Sequence, residues 1–275
     1  MKTSVSISVF PAPLGMPSLY SGVTEAHLGQ IRDLGYDGVD LFVRDPRSPD
    51  TVNALRMLEQ FGLEVGVVMP AALAGEGIFL SSKDPAIHQE ALRRIGEIVD
   101  LAAGVGGMVS LGLVRGNRAA DESEEKFHAR FARSCEQLLE RALPAGVPLV
   151  IEPINRYETN TLNSAAQAVD FLEACRLPLY LMLDTFHMNI EDAGLEETLE
   201  RALPYTRHVH FLDSNRLAPS MGHLDMEGLY LILAREGYEG FLCLEALPLP
   251  DSGTCATKGA EFFRRMRRRE LSIKG

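Results

Sequence analysis

Two rhythms of apolar and polar residues alternate along the chain. Short apolar runs such as Pro148-Leu149-Val150-Ile151, Leu179-Tyr180-Leu181-Met182-Leu183 and Phe241-Leu242-Cys243-Leu244 are bounded by turn residues. Runs of this kind read as strands buried on both faces, as in a parallel sheet. Between them, apolar residues recur every three or four positions, as in Val52, Leu55, Leu58 and Phe61, the period of an amphipathic helix. Strands are expected over Val5 to Phe10, Tyr36 to Phe42, Glu64 to Met69 and Met108 to Leu113, and then in runs reaching Glu152, Asp184, His210 and Glu245. Helices are expected over Thr24 to Leu34, Pro49 to Phe61, Asp84 to Ala103, and from Asp121 or Ser123 to Leu143. The later ones run Ser164 to Cys175, Leu195 to Leu203, Met226 to Glu236, and onward from Ala256. Eight strand–helix units account for the chain. They predict a single-domain (β/α)8 TIM barrel over residues 1–275.

Composition narrows the function more than the fold. A net charge of -11 argues against an extended nucleic-acid footprint, which needs clustered Lys and Arg. The one basic cluster, Arg264-Arg265-Met266-Arg267-Arg268-Arg269, closes the last helix and reads as a solvated face complementing the helix dipole. No apolar run approaches the ~20 residues of a membrane span. The N-terminus alternates apolar and polar residues before Pro11 and Pro13, the pattern of a strand and loop rather than a signal peptide. Cys135, Cys175, Cys243 and Cys255 are scattered without C-x-x-C spacing and read as reduced thiols, so a cytoplasmic protein is expected.

The chemistry lies in the second half. Four successive apolar runs each end on a residue able to bind a metal: Glu152, Asp184, His210 and Glu245. In a barrel of this type the carboxyl ends of the strands converge on one face, where active sites lie. Three carboxylates and one imidazole make a hard, oxygen-rich site, suited to Mn2+ first, with Mg2+ or Co2+ as alternatives. A buried carboxylate is costly unless paired or bound to metal. Four in a row are therefore unexpected as mere strand ends.

The stretches Glu152-Pro153-Ile154-Asn155-Arg156-Tyr157-Glu158-Thr159, Asp184-Thr185-Phe186-His187-Met188-Asn189 and His210-Phe211-Leu212-Asp213-Ser214-Asn215-Arg216 carry a further signal. With Gly222-His223-Leu224-Asp225 and Glu245, they resemble the xylose-isomerase-like sugar epimerases, and more narrowly the D-tagatose/D-psicose 3-epimerase group. Gly112-Leu113-Val114-Arg115-Gly116 and Leu247-Pro248-Leu249-Pro250 look most like the 5-keto-L-gluconate epimerases within it. The chain departs at Pro219-Ser220, where such relatives usually carry Pro-Gly. The resemblance implies that Glu152, Asp184, His210 and Glu245 hold a divalent metal. It also implies that Glu158, His187 and Arg216 contact substrate oxygens, and that the protein is a homo-oligomer acting on a small sugar or keto sugar acid.

Those residues suit proton transfer beside a ketone. A cation at the carbonyl and neighbouring hydroxyl stabilises the cis-enediolate, and inversion needs a proton to leave one face and return to the other. Glu152 and Glu245, on strands five and eight, are expected to serve as the acid/base pair. Arg44, Arg115 and Arg118 fall on loops at the same face; one of them would bind a substrate carboxylate, and Arg115 is counted with the substrate contacts. His208 should pack below the site, Asp225 cap a helix, and His223 support the site from behind. His27, His88 and His128 lie in exposed helical patterns. Alternatives stay open: an aldose–ketose isomerase, an inosose-type dehydratase, or a sugar-binding relic. A DNA-repair nuclease would need more histidine ligands and a basic face.

Overall fold

The computed structural model describes residues 1–274, with side chains through Glu270. Eight parallel strands close on themselves: β1 (Lys2–Ser8), β2 (Gly38–Phe42), β3 (Glu64–Met69), β4 (Met108–Ser110), β5 (Leu149–Ile151), β6 (Tyr180–Asp184), β7 (Thr206–His210) and β8 (Phe241–Leu244). Each pairs with the next, and β8 returns to β1 with Lys2 opposite Phe241. A two-residue strand, Tyr20–Ser21, lies on β1. The helices between and after them are α1 (Glu25–Asp33), α2 (Pro49–Phe61), α3 (Pro85–Val105), α4 (Glu124–Ala142), α5 (Ala165–Cys175), α6 (Leu195–Ala202), α7 (Met226–Arg235) and α8 (Ser252–Lys274). The chain is a TIM barrel, as its periodicity predicts.

Local chemistry fixes most helix starts. Thr24, Ser48, Asp84, Ser123, Ser164 and Asp225 each accept a backbone N–H of the first turn, satisfying donors that a helix start leaves unpaired. At Ser164 the cap is reciprocal, with Gln167 reaching back. The main core lies between strands and helices, where Val5, Leu41, Ile95, Phe131, Leu181 and Phe262 are buried. A smaller cluster of Phe42, Val67, Met69, Val150 and Met182 forms separately. Among the described residues no helix is long and apolar enough to cross a membrane.

Several expectations need correction. Thr185–Glu191, expected as loop, is a helix. The strand expected to reach Leu113 stops at Ser110, and Leu113–Arg115 forms a 3-10 turn. α8 begins at Ser252, four residues early. His88 and His128 are only partly exposed: His88 Nε2 lies 2.9 Å from Ser134 Oγ, and His128 packs edge-on against Phe171. The basic cluster is more engaged than a solvated face, with Arg265 and Arg269 paired to Glu227 and Arg267 to Asp37.

Candidate metal centre and active-site cavity

Glu152 follows β5 directly, Asp184 and His210 close β6 and β7, and Glu245 follows β8. The four side chains are buried and meet around His210. Its Nδ1 lies 3.4 Å from Glu152 Oε1, 3.6 Å from Asp184 Oδ2 and 3.5 Å from Glu245 Oε2. One ligating atom from each falls within 4.8 Å of the others. Donors around a single ion with bonds of about 2.1 Å stand roughly 3.0–3.4 Å apart, so the set fits one divalent cation. Among the buried atoms with no hydrogen-bond partner are Asp184 Oδ2 and both ring nitrogens of His210; the two that face the carboxylates, Asp184 Oδ2 and His210 Nδ1, are as expected of groups shaped for an ion.

Electrostatics leads to the same conclusion. Burial, together with the neighbouring Glu152 and Asp184 carboxylates, lifts Glu245 to about 8, although His210 and Arg216 pull it down. Burial also works against Asp184, yet His187, His210 and Arg216 hold it down at about 2. His210 is driven well above its ordinary value despite burial, by Glu245, Asp184, Asp40 and Glu152. Burial and the acids crowded around Glu245 thus favour a proton or a cation at that carboxylate. Gly112 is part of the design: a Cβ there would sit 2.7 Å from Glu152 Oε2.

The neighbouring polar groups are held by one network. Asp184 caps the Thr185–Glu191 helix through Oδ1, which accepts from Phe186 N at 2.7 Å, and this leaves Oδ2 for the site. His187 sits in that helix, buried, with Nε2 3.9 Å from Asp184 Oδ2 and 4.0 Å from Glu152 Oε1. Asn155 sets its tautomer. The Asn155 Oδ1 takes the N–H of Tyr157, so Nδ2 faces Glu158 Oε1 at 3.0 Å and His187 Nδ1 at 2.7 Å. With Nδ1 accepting, the imidazole proton is on Nε2, aimed at the carboxylates. Arg216 bridges Glu158 (3.0 Å) and Glu245 (3.3 Å) and lies over the Phe186 ring. Its φ of +60° is held by a loop in which Asp213 accepts N–H groups from Ser214, Ser220 and Leu224. Ser220 adopts φ +73°, a left-handed conformation that costs a non-glycine residue about 1–2 kcal/mol.

Of these groups, Glu152, Glu158, His187, Arg216 and Glu245 line one wall of a cavity of about 510 Å3. The opposite wall is apolar, built by Phe10, Met16, Phe42, Met69 and Pro70 from the ends of β1 to β3. Arg44 also lines it, with Nε 3.2 Å from Glu76 and its guanidinium over Phe10. Arg115 is a correction. It is fully buried outside the cavity lining, and its donors go to the backbone carbonyls of Glu152 (2.7 Å) and Thr161 (2.8 Å). Burial lowers its pKa to about 10. It braces the turn carrying Glu152 and has no donor left to aim at a substrate. Arg118 likewise donates to Glu122 O and is absent from the cavity wall.

Comparison with known proteins now adds to the geometry. A family model described as xylose isomerase-like TIM barrel matches residues 28–266. The chain belongs to the xylose isomerase-like TIM barrel family. It is 31% identical over 226 residues to the L-ribulose 3-epimerase of Mesorhizobium japonicum, covering 81% of this chain and 75% of that one. With the ketose 3-epimerase of Arthrobacter globiformis it shares 29% identity, over 78% of this chain and 74% of the relative. A solved L-ribulose 3-epimerase superposes with a TM-score of 0.81 at 25% identity, covering 100% of this chain and 99% of that one. These relatives are epimerases, isomerases of carbohydrates, the group that the sequence motifs resemble.

Within this xylose isomerase-like barrel, two polar residues escaped sequence reasoning. Asn155 lies within the Glu152–Thr159 stretch, but nothing in its spacing says that it orients His187. Asp40 is an acid in the middle of the apolar run Gly38–Phe42, a break in the pattern that is legible in the sequence. His208 packs below the four candidate ligands as expected, with Nε2 2.5 Å from Asp40 Oδ2. Asp225 caps α7, accepting from Gly228 N. His223 meets Ser214 Oγ at 2.8 Å, in the loop that carries Arg216.

Proposed function

We propose that the protein is a metal-dependent sugar epimerase that inverts the carbon next to a ketone, in a ketohexose or a keto sugar acid such as 5-keto-L-gluconate. The observation that carries this reading is the pair Glu152 and Glu245, both within 3.5 Å of His210 Nδ1 at the polar end of the cavity. Glu152, Asp184, His210 and Glu245 would hold the cation, Mn2+ by preference for three oxygens and one nitrogen, or Mg2+ or Co2+. When bound, it would polarise the ketone and stabilise the charge of the enediolate.

The chain's own residues supply the rest. Glu152 and Glu245 come from β5 and β8, three strands apart, and so can address opposite faces of a sugar lying between them. One takes the proton from carbon and the other returns a proton to the far face. His187, protonated on Nε2 by its contact with Asn155, offers a donor to a substrate oxygen. Arg216 keeps Glu245 and Glu158 in place and presents a fixed cation to hydroxyl or carbonyl oxygens. The apolar wall excludes water from the reacting centre, which strengthens every charge interaction there. Arg44 is the cation on that wall. It is held there by Glu76 and the Phe10 ring, so a carboxylate at the far end of the substrate would share this cation with Glu76.

Proton NMR of the Mn2+-loaded enzyme in D2O, with the metal chelated before acquisition, tests the reading. Tagatose, fructose, psicose and 5-ketogluconate are the trial substrates. Deuterium on the carbon beside the ketone together with a new epimer is the expected result. Exchange with loss of water would make the protein a dehydratase instead. Absence of exchange with all four would refute this substrate class.

A further inference from the structure

Below the metal ligands, on the floor of the barrel interior, lies a second cluster of buried polar groups. Asp40 on β2 and His208 and His210 on β7 are each fully buried. Asp40 Oδ2 stands 2.5 Å from His208 Nε2 and 3.3 Å from His210 Nε2. Asp40 Oδ2 thus faces both ring nitrogens at contact distance, although none of the three atoms completes a hydrogen bond as placed. Ser4 Oγ donates to the other oxygen, Oδ1, at 3.1 Å. The cluster spans the barrel, since β2 and β7 are not neighbours in the sheet.

The backbone is adapted to this contact on both sides. The β2–β3 register shifts between Val39 and Leu41, around Asp40. The β6–β7 register shifts between Leu181 and Met182, which pair with Thr206 and His208 and leave Arg207 as the extra residue. Bulges of this kind re-aim side chains beside active sites. Gly66 provides the room: a Cβ there would lie 2.6 Å from Asp40 Oδ1 and 3.1 Å from His208 Cε1. Replacing such a buried polar set by apolar residues is often neutral or stabilising. Its presence directly behind one metal ligand therefore indicates a role beyond stability.

We propose that Asp40, supported by His208, is a positioning residue for the metal site, holding the Nε2 proton of His210 so that Nδ1 is bare and faces Glu152, Asp184 and Glu245. A carboxylate behind a ligating imidazole fixes its tautomer and ring orientation and raises its basicity toward the ion. In this arrangement His210 works at both ends: Nε2 is anchored to the barrel floor and Nδ1 is presented to the cavity. Sequence spacing explains why both histidines share a strand face, residues i and i+2. Only the cross-barrel contact explains why one of them is a ligand and the other a buttress.

The inference rests on the metal reading above and has its own test. The Kd for Mn2+ is measured by EPR of the free ion on wild-type protein, Asp40→Asn and His208→Gln, alongside the melting temperature of each metal-free protein. Asp40→Asn is close in shape and should fold; its Kd should rise about 10–100-fold, and that of His208→Gln by less. In 15N-resolved NMR of Mg2+-loaded wild type, the His210 proton should be found on Nε2. A Kd unchanged in Asp40→Asn, with only a lowered melting temperature, would make the cluster structural and overturn the proposal. Two metal ions per chain, one of them lost in both variants, would also overturn it and make Asp40, His208, His210 and Cys243 an ion site instead. If wild type bound no divalent cation at all, the metal reading would fail first and this one with it.

Discussion

The two halves of the barrel do different work. From β5 to β8 every strand delivers a candidate ligand at its carboxyl end, Glu152, Asp184, His210 and Glu245, and the loops beyond add Glu158, His187 and Arg216. From β1 to β3 the strand ends deliver Phe10, Phe42, Met69 and Pro70 to the opposite wall of the same cavity. Carboxylates are tolerated in such density only around a shared cation, so the chemistry gathers on one side. In the proposed reaction the apolar side would shape the substrate and keep water out. Asp40 is the exception that links the halves, an acid from the apolar side reaching across to the histidines of the polar side.

The sharpest way to break this division is to disable one carboxylate of the polar half. Glu245→Gln should reduce kcat about 10²–10⁴-fold, measured with the best substrate from the exchange assay, with the barrel intact by circular dichroism. A variant within tenfold of wild type would remove Glu245 from the acid/base pair.

Titration sharpens the same contrast with a smaller effect. Glu245 is held at about 8, above its ordinary 4.5, in the metal-free protein, and His210 is raised as well. A raised folded-state pKa contributes stability that is full below the unfolded value and lost as pH climbs through the folded one. The melting temperature of EDTA-treated protein should thus fall between pH 5 and 9 through these groups. Over the same range the cation replaces a proton, so calorimetry in two buffers at pH 6.5 should register release of at least one proton on Mn2+ binding. Metal binding without proton release would contradict the assigned crowding.

The smallest expected effect concerns the apolar half. Arg44→Gln should raise KM for 5-ketogluconate severalfold and leave KM for tagatose unchanged, since a half-exposed ion pair is worth about 1 kcal/mol or less. Equal changes for both sugars would take Arg44 out of substrate discrimination.

Pattern alone determined the eight strand–helix units, the helix cap at Asp225, and the four metal-binding candidates; it left the cap of α4 open between Asp121 and Ser123, which the fold assigns to Ser123. Each of these is local or periodic: a cap lies next to its helix, and a ligand closes its own apolar run. Tertiary structure decided what depends on distance between strands. Arg115 and Arg44 look alike in sequence, both loop arginines after a strand. Only folding shows that Arg115 spends its donors on the carbonyls of Glu152 and Thr161 while Arg44 faces the cavity. The same holds for Asn155 with His187, and for Asp40, 168 residues from its partner His208. Hydrophobic periodicity records which face of an element is buried, whereas the pairing of two buried polar groups is fixed only by the closure of the barrel that brings their strands within reach.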